Sequence, residues 1–265
     1  MTSGTTTQPF SPDAVQARRP GARAWITLIV AEAKMVVRDT AGLIIPVGMP
    51  LLILVMQMPM LSDVTTGTGH SAVEIYSLPV VFAMVVATVA VINMPSFLAT
   101  YRKTKVLRRL AVTPASPAMV LVAQMVVSAV QVAVGIGLAY LVSVVFFDAG
   151  LPDRLLTAAL VLIVTFAAMY GLGLVVASVA PTPNSAVAIG LVAFFGIAAL
   201  GGMFGPVENL PDILAEIGVW LPFGAAVEAM QTAWVGGTVA WENWVSLLGS
   251  AVLGCAVAGA LFRWE

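Results

Sequence analysis

The sequence predicts an all-α membrane protein: six transmembrane helices, an N-terminal interfacial helix, and an outer re-entrant helical hairpin between the fifth and sixth spans. Three observations carry that prediction. Of 265 residues, 60% are hydrophobic and 9% charged, with a mean hydropathy of +1.01, whereas a soluble domain carries about a quarter of its residues as charges. Apolar runs recur at the length a bilayer core demands, about 20 residues per helix. Basic residues gather in those segments that a six-span chain places on one side.

The elements follow in chain order. Residues 1–22, rich in Thr, Ser, Gln and Pro, are expected to form a disordered cytoplasmic tail. The first apolar run starts too late, and without a small-residue cleavage site, for a secretory signal peptide. Residues 23–40 read as an interfacial amphipathic helix. From Trp25 to Arg38 apolar residues recur at helical spacing, with Arg23, Lys34 and Arg38 spread among them, which suits a helix lying among lipid headgroups. Glu32 and Asp39 read as solvated positions on it. Residues 41–265 then form the six-helix transmembrane domain, with spans near 41–60, 78–100, 118–147, 155–180, 185–204 and 244–262.

Charge orients those spans. Arg18, Arg19, Arg23, Lys34 and Arg38 precede the first, Arg102, Lys103, Lys105, Arg108 and Arg109 separate the second from the third, and Arg263 follows the last. Arg154 alone falls on the opposite side, where Asp63, Glu74, Asp148, Asp153, Glu208, Asp212, Glu216 and Glu242 collect. The positive-inside rule therefore puts both termini in the cytoplasm. Residues 211–237 are apolar enough to touch the membrane but contain Glu216, Pro222 and Glu228, costly groups for a lipid-facing span. A full crossing there would also carry Arg263 to the wrong side. Two short helices dipping in from outside satisfy both constraints.

Several chemistries are excluded or weakened. A phosphate-binding loop needs a Gly-Lys pair, which the chain lacks. Cys255 is the single cysteine and His70 the single histidine, the latter in a Gly/Thr/Ser loop, so neither a metal-spaced set nor a Ser/His/Asp triad can be drawn. No charged residue sits deep inside a span, where ion-coupled carriers usually place one. The polar residues Gln57, Asn93, Gln124, Ser128, Gln131, Tyr140, Ser143, Thr165 and Tyr170 are expected to bond neighbouring helices. Gly135, Gly137, Gly171, Gly173 and Gly196 are expected to let backbones approach closely. Met49, Met56, Met58, Met84, Phe194 and Phe195 either line a greasy path or face lipid. A carrier so built takes its free energy from a partner.

The most specific local signal is the loop from Tyr101 to Pro117. Leu107 and Leu110 share one helix face while Arg102, Lys105 and Arg109 fall towards another, and Thr113-Pro114 and Ser116-Pro117 follow. Tyr101, Arg102, Leu107, Arg109, Leu110, Thr113, Pro114 and Ser116 match the pattern Y-R-E-x-G-T-L-x-R-L-x-x-T-P-x-S. Lys103 replaces its acid, and Lys105 and Val106 its Gly-Thr pair. A second stretch, Gly201 to Pro211, with Gly202, Pro206, Leu210 and Pro211 as its markers, resembles L-S-G-x-x-x-P-x-x-x-L-P, and Leu221-Pro222 resembles a later L-P pair. On these residues the chain, from about residue 23 to the end, resembles the ABC-2 type permeases of bacterial ABC exporters. Its short basic loop looks most like the daunorubicin-resistance, drug-efflux branch.

That resemblance implies a multi-pass bacterial inner-membrane subunit moving a hydrophobic or amphiphilic substrate. It implies a second permease subunit, identical or related, and an ABC ATPase subunit that binds the ATP and Mg. This chain would hold no cofactor, perform no catalysis and bind no nucleic acid. Tyr101, Arg102, Lys105, Leu107, Arg108, Arg109, Leu110, Thr113 and Pro114 would form the ATPase-coupling loop, and Trp25, Lys34 and Arg38 a second contact. A membrane scaffold without a transport cycle is the alternative, but it offers no reason for the loop and hairpin patterns.

Overall fold

The computed structural model describes residues 21–61, 66–105, 117–205 and 207–261. Leu107, Arg108, Arg109, Leu110, Thr113, Pro114 and Pro206, together with the N-terminal tail up to residue 20, lie outside those residues. The described helices are α1 (Ala22–Arg38), α2 (Thr40–Leu61), α3 (Val73–Lys103), α4 (Pro117–Phe147), α5 (Leu155–Val179), α6 (Pro183–Leu200), α7 (Asp212–Trp220), α8 (Pro222–Trp234) and α9 (Trp241–Leu261). Six of them, α2 to α6 and α9, are long and apolar enough to cross a membrane.

Local chemistry sets several boundaries. The backbone of Asp39 is extended, which breaks α1 from α2, and its Oδ1 accepts the Gly42 amide at 3.1 Å, the bond of an N-cap. Asp39, expected to be merely solvated, is therefore what starts the first span. Thr182 and Ser185 form a reciprocal capping box on α6 with Pro183 just inside it. Leu221 is extended and Pro222 opens α8, so the chain bends by 80° between α7 and α8.

α3 is the centre of the bundle and packs against α2, α4, α5, α6 and α8. In its most apolar stretch 83% of the residues are buried, against 22–44% in the other five spans, so it forms the core while they present apolar faces outward. It also runs longer than the sequence suggests, beginning at Val73 rather than near residue 78. One wider π-type turn, Val73–Ser77, opens it, and a second, Thr88–Asn93, interrupts its α-helical segments. Glu74, which reads as a loop residue, is buried in the first of these.

The contact between α2 and α3 depends on two prolines. Proline has no N–H, so Pro46 and Pro50 leave the carbonyls of Gly42 and Pro46 without their intrahelical donors. Asn93 Nδ2 and Gln131 Nε2 donate to Gly42 O at 2.8 and 2.7 Å, and Thr88 Oγ1 donates to Pro46 O at 3.0 Å. A helix in lipid must re-satisfy such groups internally, and three side chains from α3 and α4 do so. Asn93 and Gln131 bond a neighbouring helix as expected; the prolines are the reason. Gln57 and Tyr170 likewise bond neighbours, Ser77 and Leu121 O. Among the described residues, Gln124 Oε1 and Thr165 Oγ1 have no hydrogen-bond partner.

Backbone contact joins α3, α5 and α9. A Cβ on Gly173 would stand 1.9 Å from Ala90 O, and one on Gly254 2.5 Å from the Gly171 carbonyl carbon. Only hydrogen fits at either place, the small-residue logic of membrane helix packing. Gly135 is also packed, against Val85, but Gly137 and Gly196 meet nothing within 4 Å among the described residues.

The bundle has two distinct ends. At one, Ala99, Ala180 and Ala186 pack together near the last turn of α3. At the other, Asp153 N and Arg154 N donate to Trp234 O and Ala233 O at 3.1 and 3.2 Å. α8 starts with Phe223 against Phe194 and Gly201 and ends at this second end. The α7–α8 pair thus turns back to the side where α9 begins, as a re-entrant hairpin does.

Candidate functional site

The last turn of α3 carries Tyr101 and Arg102, adjacent in sequence and therefore about 100° apart around the helix. They reach different neighbours. Tyr101 is buried, and its Oη donates to Glu32 Oε2 on α1 and lies 3.6 Å from Met35 Sδ. Arg102 Nη2 donates to Ala177 O and, at 2.7 Å, to Ala180 O. Those are carbonyls of the α5 C-terminus, which lack intrahelical donors and sit at the negative end of the helix dipole. One helix end is thereby clasped to α1 on one side and α5 on the other.

Glu32 corrects the sequence reading. Expected to be solvated, it is 4% exposed. It lies on the stripe of Leu28 and Val36, at i−4 and i+4, which faces the bundle. Burial pushes its carboxyl above the usual carboxylate range, and the Tyr101 hydroxyl pulls it part of the way back. The other α1 residues named from the sequence do not join this contact: Trp25 is half-buried, while Lys34 and Arg38 are exposed. α1 packs on α4 and α2, and Ile26, Val30 and Val37 stay exposed on its outer side.

Lys105 ends the described part of this loop. Its φ of 57° is left-handed, the conformation that commonly follows a helix C-terminus, and its side chain is exposed. Tyr101 and Arg102 are thus the anchored root of the basic loop.

At the other end, Gly202, with φ of 89°, turns the chain out of α6. Leu210 N closes a turn onto Val207 O at 3.0 Å, Pro211 leads into α7 and Pro222 into α8. Gly202, with Met203, Val207, Glu216 and Val227 of the same hairpin, forms one wall of a cavity of about 760 Å³, which Leu210, Pro211 and Pro222 do not line. Gln57 of α2 and Tyr76 and Val80 of α3 form the facing wall. Beside it, His70 has more company than its loop suggested. Nδ1 lies 3.4 Å from Glu74 and Nε2 3.3 Å from Asp153, so the imidazole bridges the loop after α2 to the loop before α5. Among the described residues no group of three or more His, Cys, Asp or Glu is placed to hold a metal ion.

The family profile for ABC-2 type transporters matches residues 23–234, from the second residue of α1 to the last of α8. No curated protein matches the chain. With most of its length matched, including the clasp, the loop and the hairpin, the chain belongs to the ABC-2 type transporter family.

Proposed function

We propose that this membrane transport subunit is the permease of an exporter powered by a separate ABC ATPase, and that the clasp around Tyr101 and Arg102 transmits the ATPase's movement. The observation that carries the reading is the pairing of Tyr101 with Glu32 and of Arg102 with the α5 carbonyls. A displacement of the last turn of α3 cannot leave α1 and α5 where they are without breaking these bonds. The basic end faces the cytoplasm by the charge rule, in the inner membrane of a bacterium. α1 lies in the headgroup layer with Ile26, Val30 and Val37 towards lipid. Leu107, Arg108, Arg109 and Leu110 dock on an acidic groove of the ATPase, where charge steers the encounter more than it sets affinity.

A second permease subunit completes the pathway, and the cargo is a hydrophobic or amphiphilic compound of the drug-efflux kind. ATP and Mg belong to the ATPase. The test is affinity purification of tagged protein from native membranes, followed by mass spectrometry of bound chains. An ATPase subunit with a Gly-Lys phosphate loop should be recovered near 1:1, and Arg108→Glu with Arg109→Glu should abolish its retention while the permease stays inserted. Recovery of no nucleotide-binding chain, by purification and by crosslinking in the membrane, would favour a scaffold instead.

A further inference from the structure

The hairpin cavity carries a charge that the rest of the bundle does not explain. From Pro222 to Met230 every residue of α8 is buried except Glu228. Glu228 lines the cavity, and so does Glu216 from α7, across the 80° bend. Among the described residues neither side chain has an ion-pair or hydrogen-bond partner. Arg154, the basic residue at this end, follows Asp153 in the loop before α5 and is not part of the lining. The remaining wall is largely apolar, with Tyr76, Val80, Met203 and Val227 among its members.

An unpaired carboxylate on a helix that is otherwise packed away is costly wherever water is scarce. Glu228 is exposed to the cavity while its neighbours on α8 are buried, so its carboxylate does not serve the packing of the helix. A cavity of this volume is in the range that encloses a drug-sized body, with a few polar groups setting its orientation. We infer that this cavity binds an amphiphilic organic cation, its apolar body against Tyr76, Val80, Met203 and Val227 and its positive charge towards Glu228 and Glu216. An anion of the same shape is rejected by the same two carboxylates. The inference deepens the permease reading, on which the ligand's status as cargo rests. Binding itself requires neither ATPase nor ATP.

The experiment uses two ions of matched size and opposite charge, tetraphenylphosphonium and tetraphenylborate. Each is titrated by equilibrium dialysis into the full chain in phosphatidylcholine nanodiscs, with empty nanodiscs subtracted. Tetraphenylphosphonium should bind saturably and at least about tenfold more tightly than tetraphenylborate. Glu228→Gln should weaken the cation by about tenfold, a change of about 1.4 kcal/mol, and Glu216→Gln by less. Equal saturable affinity for both ions, no saturable binding of the cation, or unchanged affinity in both variants would overturn the inference. Should Glu228→Gln fail to insert, the comparison of ions on the unaltered chain and the Glu216→Gln variant still decide it. Cation binding with no efflux in cells carrying the native ATPase would instead sink the permease reading and leave the site standing.

Discussion

The two ends of the bundle solve opposite problems with similar residues. At the basic end, polar side chains are partnered: buried Tyr101 with buried Glu32, and half-buried Arg102 with the carbonyls of Ala177 and Ala180. At the acidic end, Glu216 and Glu228 line a cavity without partners among the described residues, and His70 joins loops whose Asp153 is 54% exposed. A buried partnered group resists displacement, because moving it strands its partner away from water. An unpartnered group beside a cavity offers its charge to whatever enters. The difference suits one end to carrying force between helices and the other to holding a ligand.

The comparison is sharpest at Tyr101→Phe. This change leaves the Glu32 carboxyl buried without its donor, at a cost of about 3 kcal/mol, read as loss of thermal stability of the purified protein. Its pH dependence has a definite sign. The hydroxyl favours the charged carboxylate, so the loss should be greatest near pH 8 and shrink as Glu32 protonates at lower pH. Burial outweighs that bond and keeps the folded carboxyl above its unfolded value, so the wild type should itself lose stability as pH rises through the folded value, and the variant should lose more. A loss that grew towards acid pH would break the account of Glu32.

Arg102→Gln comes next, removing charge-assisted bonds to two helix-end carbonyls at about 2 kcal/mol. If the clasp transmits force, the same variant should retain the ATPase but lose the dependence of ATP turnover on substrate. Between the ends, Thr88→Val strips the donor from Pro46 O. Such bonds within membrane proteins average about 0.6 kcal/mol, so a change in unfolding temperature of a few degrees is expected. Smallest should be His70→Gln, at no more than about 0.5 kcal/mol for a partly exposed pair. Glu74 keeps the amides of Ser71 and Gly150 when the imidazole goes. Equal losses for His70→Gln and Tyr101→Phe would erase the contrast between the ends.

Much of this architecture was legible in the residues, and the failures have physical causes. Span lengths and hairpin followed from apolar runs and charge placement, since lipid tolerates few alternatives. The start of α3 lies before residue 78 because the amides of Ser71 and Gly150 fold onto the Glu74 carboxylate, contacts that leave no mark in the sequence. Glu32 did leave a signal, an acid between Leu28 and Val36 on one stripe, but an acid among basic residues reads first as solvated. The partners of Arg102 left none: Ala177 O and Ala180 O are backbone atoms 75 and 78 residues away. Nor could Glu228 be assigned to a cavity whose other wall is built by Gln57 and Tyr76.

The π-type turn at Thr88–Asn93 also bears on how this chain can change its length. Such a turn holds one residue more than the α-helical turn it replaces, so it is where a single-codon insertion could be absorbed without extending the span. The reverse change should be tolerated there too. Losing one residue between 88 and 93 would restore α geometry locally, with some repacking of the Thr88 and Asn93 bonds to α2. Losing one within Leu78–Ala87, where every residue is buried, would rotate the remainder of the helix by about 100° and carry its packed face away from every neighbour. Relatives of this chain should therefore differ in length within the wide turn before they differ in the regular helix beside it.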